Sequence, residues 1–116
     1  MGAEVKPAID VKLLEQVDIR VGRITAVEDV AGSDRLVLLR VDFGNFQRQI
    51  VSGMKQEREN PAEITGRQAL FVVNLAPRKI RGVMSEGMVF DIGFADGVRP
   101  VLAVPEAQVP DGTRCG

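Results

Sequence analysis

From Val17 onward apolar and polar residues alternate. Ile19, Val21 and then Ile24 stand against Asp18, Arg20 and Arg23, the period-two pattern of a half-buried strand. Gly22 marks a bend or bulge within it, and Ala31-Gly32-Ser33-Asp34 reads as a turn. A Val- and Leu-rich run from Leu36 to Phe43 ends at Gly44-Asn45, which predicts a hairpin into a third strand from Gln47 to Val51. Ser52-Gly53 closes that strand. The polar stretch Lys55 to Glu63 contains Pro61 and charges at helical spacing, so a short helix or helical turn is expected there. Gln68 to Asn74 carries the run Ala-Leu-Phe-Val-Val, predicting a strand buried on both faces. A fifth strand is expected over Gly87 to Ile92, a tail strand over Val98 to Val104, and a last turn at Val109 to Gly112. At the other end, Met1 to Ile9 is unpatterned and reads as a flexible arm. Asp10 can cap a short helical turn through Leu13, Leu14 and Glu15, too short to stand without packing.

These elements fit an all-β chain, a five-stranded Greek-key barrel of the OB type. A short helix lies between strands three and four, and extra strands follow at the C-terminus. An SH3-like barrel or a small sandwich satisfies the same pattern. With 116 residues, 45% of them hydrophobic, the chain can build one core and has no room for a second domain. The expected division is an arm or short helix over residues 1–13 and one OB-fold domain over residues 14–116. The starting Met1 favours a complete chain.

Composition removes several functions. Histidine is absent, and with it go the commonest general base and the commonest zinc ligand. Cys115 is the single cysteine and has no partner for a disulfide or a metal site, which suits a reducing compartment. Acids and lysines interrupt every apolar stretch near the start of the chain, so neither a signal peptide nor a membrane span is read there. The expectation is a cytoplasmic protein that is not an enzyme and needs no metal or cofactor.

A formal charge of −1 does not announce a nucleic-acid binder, but the distribution does more. From Gly66 to Ser85 there is no Asp or Glu, while Arg67, Arg78, Lys79 and Arg81 all fall inside that window. Pro77 biases Ala76 toward an extended conformation, and the cations follow on a stretch that Gly82 bends. Packed so closely they must face solvent or an anion, and Arg offers phosphate a planar fork. The same charges also suit a solvated loop that confers only solubility.

Three separated segments carry a resemblance: VDIRVGRI at Val17 to Ile24, GSDRL at Gly32 to Leu36, and NLAPRKIRGVMSEGM at Asn74 to Met88. Together they resemble the tRNA-binding domain family over about residues 14–116. That family includes the C-terminal appendage of methionyl-tRNA synthetases, free-standing structure-specific tRNA-binding proteins, and the CsaA-type export chaperones. The resemblance implies an OB-fold, a homodimer, and tRNA binding through the basic segment, with Asn74, Arg78, Lys79, Ser85 and Met88 at matching positions. Chaperones of the CsaA type usually have a Ser-Glu-Val-Leu-like sequence where this chain has Ser85-Glu86-Gly87-Met88. They also have a longer loop between strands one and two.

Each candidate has a plainer reading. Met88 can be core filler, since thioethers pack apolar gaps. The Ser85 hydroxyl can bond a phosphate or tie down its own loop. The Asn74 amide can satisfy loop backbone or read a nucleotide. Arg20 and Arg23 alternate with the apolar face of strand one and so point outward, extending the basic face or pairing with nearby acids. There is no Trp and no Tyr, so a stacking platform for single strands is poorly supplied. Recognition of folded RNA by shape and phosphates needs few aromatics. The functional expectation is therefore a non-catalytic tRNA-binding module, alone or assisting a methionyl-tRNA synthetase in trans. A chaperone binding unfolded preproteins is the alternative. The expected dimer interface combines Leu13 and Leu14 with the tail strand Val98 to Val104, where Val98, Val101, Leu102, Val104 and Val109 need a surface to cover them.

Overall fold

The period-two segments become strands in the computed structural model of the chain, which describes residues 2–116. Met1, the first residue of the expected arm, lies outside the described residues. The helix α1 covers Val11–Glu15, and Asp10 caps it by accepting from the Lys12 N–H at 2.8 Å. The strands are β1 (Ile19–Asp29), β2 (Val37–Asp42), β3 (Gln47–Ser52), β4 (Gln68–Val72), β5 (Arg78–Ile80), β6 (Val83–Ser85), β7 (Met88–Val89), β8 (Asp91–Ile92) and β9 (Val101–Leu102). Five of them form one antiparallel sheet in the order β3-β2-β1-β4-β7. This is the barrel of an OB-fold.

β1 is long because it serves two neighbours. Its N-terminal half, Ile19 to Arg23, pairs with β4, and from Arg23 onward it pairs with β2 through a register shift between Ile24 and Ala26. Where β2 turns away, the C-terminal tail takes its place. Gly112 N–H donates to the Val21 carbonyl at 2.7 Å, Val21 N–H to Thr113 at 2.9 Å, and Cys115 N–H to Ile19 at 2.8 Å. The expected last turn thus leads into a segment that seals β1. Gly22 is needed in this strand for a different reason than a bend: a Cβ there would lie 2.5 Å from Val41 Cγ1 and 2.6 Å from the Phe43 ring. The strand crosses over the core at contact distance.

The expected β2–β3 hairpin is present, with Phe43 N–H bonded to the Phe46 carbonyl at 2.9 Å and Gly44 at φ 91. A glycine with positive φ at the first central position is the type II′ signature. Inside the barrel Ile24, Leu39, Phe43, Ile50, Ile64, Ala69 and Phe71 are fully buried. The Phe43 and Phe71 rings meet edge to face at 5.5 Å.

Two expectations need adjusting. The helix between β3 and β4 is a single 3-10 turn, Pro61–Ile64, rather than a segment running from Lys55. Pro61 has no N–H to continue a helix and disfavours helical backbone in the residue before it, and Asn60 is extended at φ −134, ψ 91. The turn's product is Ile64, delivered into the core. The fifth strand is broken at Phe90. β7 pairs with β4, but β8 pairs with β9, so the chain changes partners within a few residues. The tail strand is correspondingly short, only Val101–Leu102, and Leu102 is buried in the barrel core.

Closure falls to the edges β3 and β7. Glu86 N–H donates to the Gln49 carbonyl at 2.9 Å, and the Gln49 N–H donates to Glu86 Oε1 at 2.9 Å. The Val51 N–H donates to Ser85 Oγ at 3.0 Å. A Cβ on Gly87 would lie 2.6 Å from the Val72 carbonyl oxygen, so only glycine lets the chain pass between β3 and β4. Two side chains and one glycine complete the barrel where a regular ladder stops.

Candidate nucleic-acid interface

The basic segment bends at Gly82 as expected, and the bend is the turn of a β-hairpin. β5 and β6 pair Arg78 with Ser85, Lys79 with Met84, and Ile80 with Val83. The turn is Arg81-Gly82, with φ of 51 and 81. Positive φ at both central residues is the type I′ geometry that matches strand twist. Arg81 is the only described non-glycine residue with positive φ, a conformation that costs an L-residue roughly 1–2 kcal/mol.

Strand alternation then divides the cations. Arg78, Ile80, Val83 and Ser85 share one face of the hairpin, and Lys79 and Met84 share the other. The first face turns toward the barrel, where Ile80 and Val83, together with Val51, pack on Val30, Leu36 and Leu38 in a second, smaller apolar cluster. The loop before β2 is shaped to support this. Gly32 has φ 76, and Ser33 Oγ accepts from the Leu36 N–H at 3.0 Å, which fixes Leu36 beneath the hairpin. Arg81 Nη1 reaches the Gly32 carbonyl at 3.4 Å. Along the side, Gln49 Nε2 donates to the Met84 carbonyl at 2.8 Å. The hairpin is held at its root by Ser85, along its edge by Gln49 and at its tip by Arg81.

Its cations remain available. Five ion pairs engage Arg20, Arg23, Arg40, Lys55 and Arg58, and none among the described residues engages Arg78 or Lys79. Both are exposed. Beside β5 an open groove of about 530 Å³ is lined by Leu75, Arg78, Ile80, Ser85, Met88 and Asp91, among others.

The remaining sequence candidates have partners within the chain. Asn74 Oδ1 accepts from the Asp18 N–H at 2.9 Å, and its Nδ2 donates to the Gln16 carbonyl at 2.7 Å, so the amide ties the end of β4 to the approach to β1. The Ser85 side chain is buried and its hydroxyl serves the Val51 N–H. Arg20 and Arg23 are half-buried rather than pointing freely outward. Arg20 makes two bonds to Asp18, at 2.9 and 3.0 Å, and lies 5.5 Å from the centre of the Phe46 ring. Its hydrogen bond holds the Asp18 carboxyl below the usual carboxylate range. Arg23 bonds Asp111 at 3.2 Å and the Gly66 carbonyl at 2.9 Å. Met88, readable as core filler, is 43% exposed at the groove. Burial pushes the Cys115 thiol up, away from the reactive thiolate. Gln49 and Leu75 were not singled out by sequence, because the roles of Gln49 at the seam and Leu75 at the groove depend on contacts that local pattern does not show.

A nearly closed five-stranded barrel carrying a braced cationic hairpin defines the OB-fold class of binding module. Residues 19–114 match the family described as "Putative tRNA binding domain", and the chain belongs to that family. It is 42% identical over 103 residues to a methionine–tRNA ligase of Methanocaldococcus jannaschii, covering 89% of this chain and 16% of the ligase. The curated relatives it matches are thus far longer than this chain. Among solved structures, a MetRS-related protein from Pyrococcus horikoshii superposes with a TM-score of 0.87 at 33% identity, over 96% of this chain and 100% of that one. The chaperone CsaA from Bacillus anthracis superposes with a TM-score of 0.82 at 27% identity, over 95% and 100%.

Ser85→Ala leaves the Val51 N–H without its partner at the seam, which should cost about 1–3 kcal/mol. Urea unfolding reads this as a lowered midpoint. An unchanged midpoint would show that the seam does not depend on this hydroxyl.

Proposed function

We propose that this chain is a non-catalytic, cytoplasmic tRNA-binding protein that grips folded tRNA by shape and phosphate contacts. Arg78, Lys79 and Arg81 make those contacts, and Asn74, Ser85, Arg20 and Arg23 hold the surface that presents them. The observation that carries the reading is the pair of unpaired, exposed cations on a hairpin fixed at three points, in a window without a single carboxylate from Gly66 to Ser85. Preorganised cations lose little freedom when phosphate arrives. Contacts to phosphate position RNA without reading its sequence, which suits a module that meets many tRNAs. Membership of a family named for tRNA binding supports the same assignment. Residues 14–116 act here as one binding unit. The matched ligases carry the equivalent region as a small part of a long chain, which supports a role in assisting a methionyl-tRNA synthetase on its tRNA. Two weak contacts on one tRNA then gain from effective concentration.

The test is filter binding of bulk tRNA, unstructured RNA and duplex DNA across a salt series. Bulk tRNA should bind most tightly, with affinity falling steeply as salt rises. The double variant Arg78→Ala/Lys79→Ala should bind all tRNAs at least about tenfold more weakly and flatten the salt slope by about 2, one for each lost phosphate contact. A folded double variant with unchanged affinity contradicts the assignment. The likeness to CsaA and the exposed Leu75, Met84 and Met88 favour a second reading, capture of unfolded polypeptide. Polypeptide that displaces tRNA at high salt would support it.

The protein also acts as a homodimer in this proposal. Leu13 and Leu14 on α1, and Val98, Val101 and Val104 on the tail, are all more than half exposed, an apolar surface that a two-fold partner would cover. Leu102 is not part of it, being buried in its own barrel. Light scattering after size exclusion should give twice the chain mass at micromolar concentration, and Leu14→Asp/Val101→Asp should give one. A wild-type mass of one chain overturns the dimer.

A further inference from the structure

The groove beside β5 is not lined as a phosphate site. Leu75, Ile80, Met88 and Val89 give it an apolar wall, Arg78 is its single cation, and Asp91 adds a carboxylate. A phosphate gains nothing from an apolar wall and is repelled by a carboxylate. A nucleobase suits all three: its faces pack on apolar and thioether groups, its exocyclic amino edge donates to a carboxylate, and its flanking phosphate pairs with an arginine fork. At about 530 Å³ the groove falls within the range of roughly 300–1,000 Å³ typical of small-ligand clefts. Strand alternation adds a second constraint. Arg78 faces the groove while Lys79 projects from the opposite face of the hairpin with Met84, so the two neighbouring cations cannot do the same work. The hairpin that carries them is cationic and free of acids, which favours RNA over polypeptide as the occupant.

We infer that this groove receives one unpaired nucleobase extruded from the folded RNA, packed on Leu75 and Met88, with Arg78 on its flanking phosphate and Asp91 accepting from its amino edge. Lys79 contacts backbone phosphate outside the groove. The inference rests on the tRNA-binding reading and gives it a chemical selectivity that phosphate contacts alone lack. An RNA without unpaired bases can satisfy Lys79 but cannot fill the groove.

Affinity of the full chain for bulk tRNA and for a fully paired RNA duplex, each measured across a salt series, separates the roles. Leu75 and Met88 are 47% and 43% exposed, so Leu75→Ala/Met88→Ala should keep the wild-type thermal melt. That variant should bind tRNA about tenfold more weakly as apolar contact with the base is lost, with its salt slope and its duplex affinity unchanged. Lys79→Ala should weaken both RNAs and flatten both slopes by about 1. Unchanged tRNA affinity in the Leu75/Met88 variant overturns the groove assignment and leaves the cationic hairpin standing. Equal losses on tRNA and duplex also overturn it. Loss of unfolded-polypeptide capture with tRNA affinity intact assigns the groove to a peptide and overturns it as well. Wild-type protein that binds neither RNA overturns the tRNA-binding reading, and the inference with it.

Discussion

Closure of the barrel between β3 and the Ser85-Glu86-Gly87 segment is the constraint on which the rest depends. An open edge at β3 would leave backbone donors at Gln49 and Val51 without partners, a cost comparable to a lost hydrogen bond for each. The chain meets those donors with the Glu86 carboxylate and the Ser85 hydroxyl, and Gly87 lets it pass where a Cβ would lie 2.6 Å from the Val72 carbonyl oxygen. Because β6 ends at Ser85, the same bonds that finish the barrel also fix the root of the basic hairpin. Ile80 and Val83 then settle on Val30, Leu36 and Leu38. The positions of Arg78 and Lys79 are consequences of how the barrel closes.

The three segments that identified the family by resemblance have mostly structural roles. In β1, Gly22 permits crossing over Phe43. In the loop before β2, Gly32 and Ser33 place Leu36 under the hairpin. In the last segment, Ser85 to Gly87 forms the seam. The short stretch Arg78 to Arg81 carries three cations, none of them in an ion pair among the described residues. A nearly neutral chain can thus carry a cationic surface: the arginines of β1 are held in ion pairs, Arg20 with Asp18 and Arg23 with Asp111, while Arg78 and Lys79 on the hairpin stand side by side in none.

The strands that obey strict alternation, together with the Gly44-Asn45 hairpin, were legible in the sequence because local pattern and final burial agree there. The hairpin at Arg81-Gly82 was not. The bend at Gly82 could be read, but pairing of the residues on either side of it depends on tertiary packing of Ile80 and Val83, which local pattern does not show. The break at Phe90 was hidden because it arises when the chain exchanges β4 for β9, a non-local event. Arg78 and Lys79 could be picked out as a pair from charge alone, but their separation onto opposite faces needed the pairing register. Leu102 shows the converse. As an apolar tail residue it read as available for a partner, yet the core of its own barrel already claims it.

The most direct test of the central account, a preformed hairpin that meets folded RNA, is amide chemical-shift mapping of the labelled chain with bulk tRNA at physiological salt. The account predicts shifts concentrated in Leu75 to Met88, with the amides of α1 and of the Val98 to Val104 tail unmoved. Shifts confined to α1 and the tail, with the Arg78 to Ser85 amides silent, would contradict it.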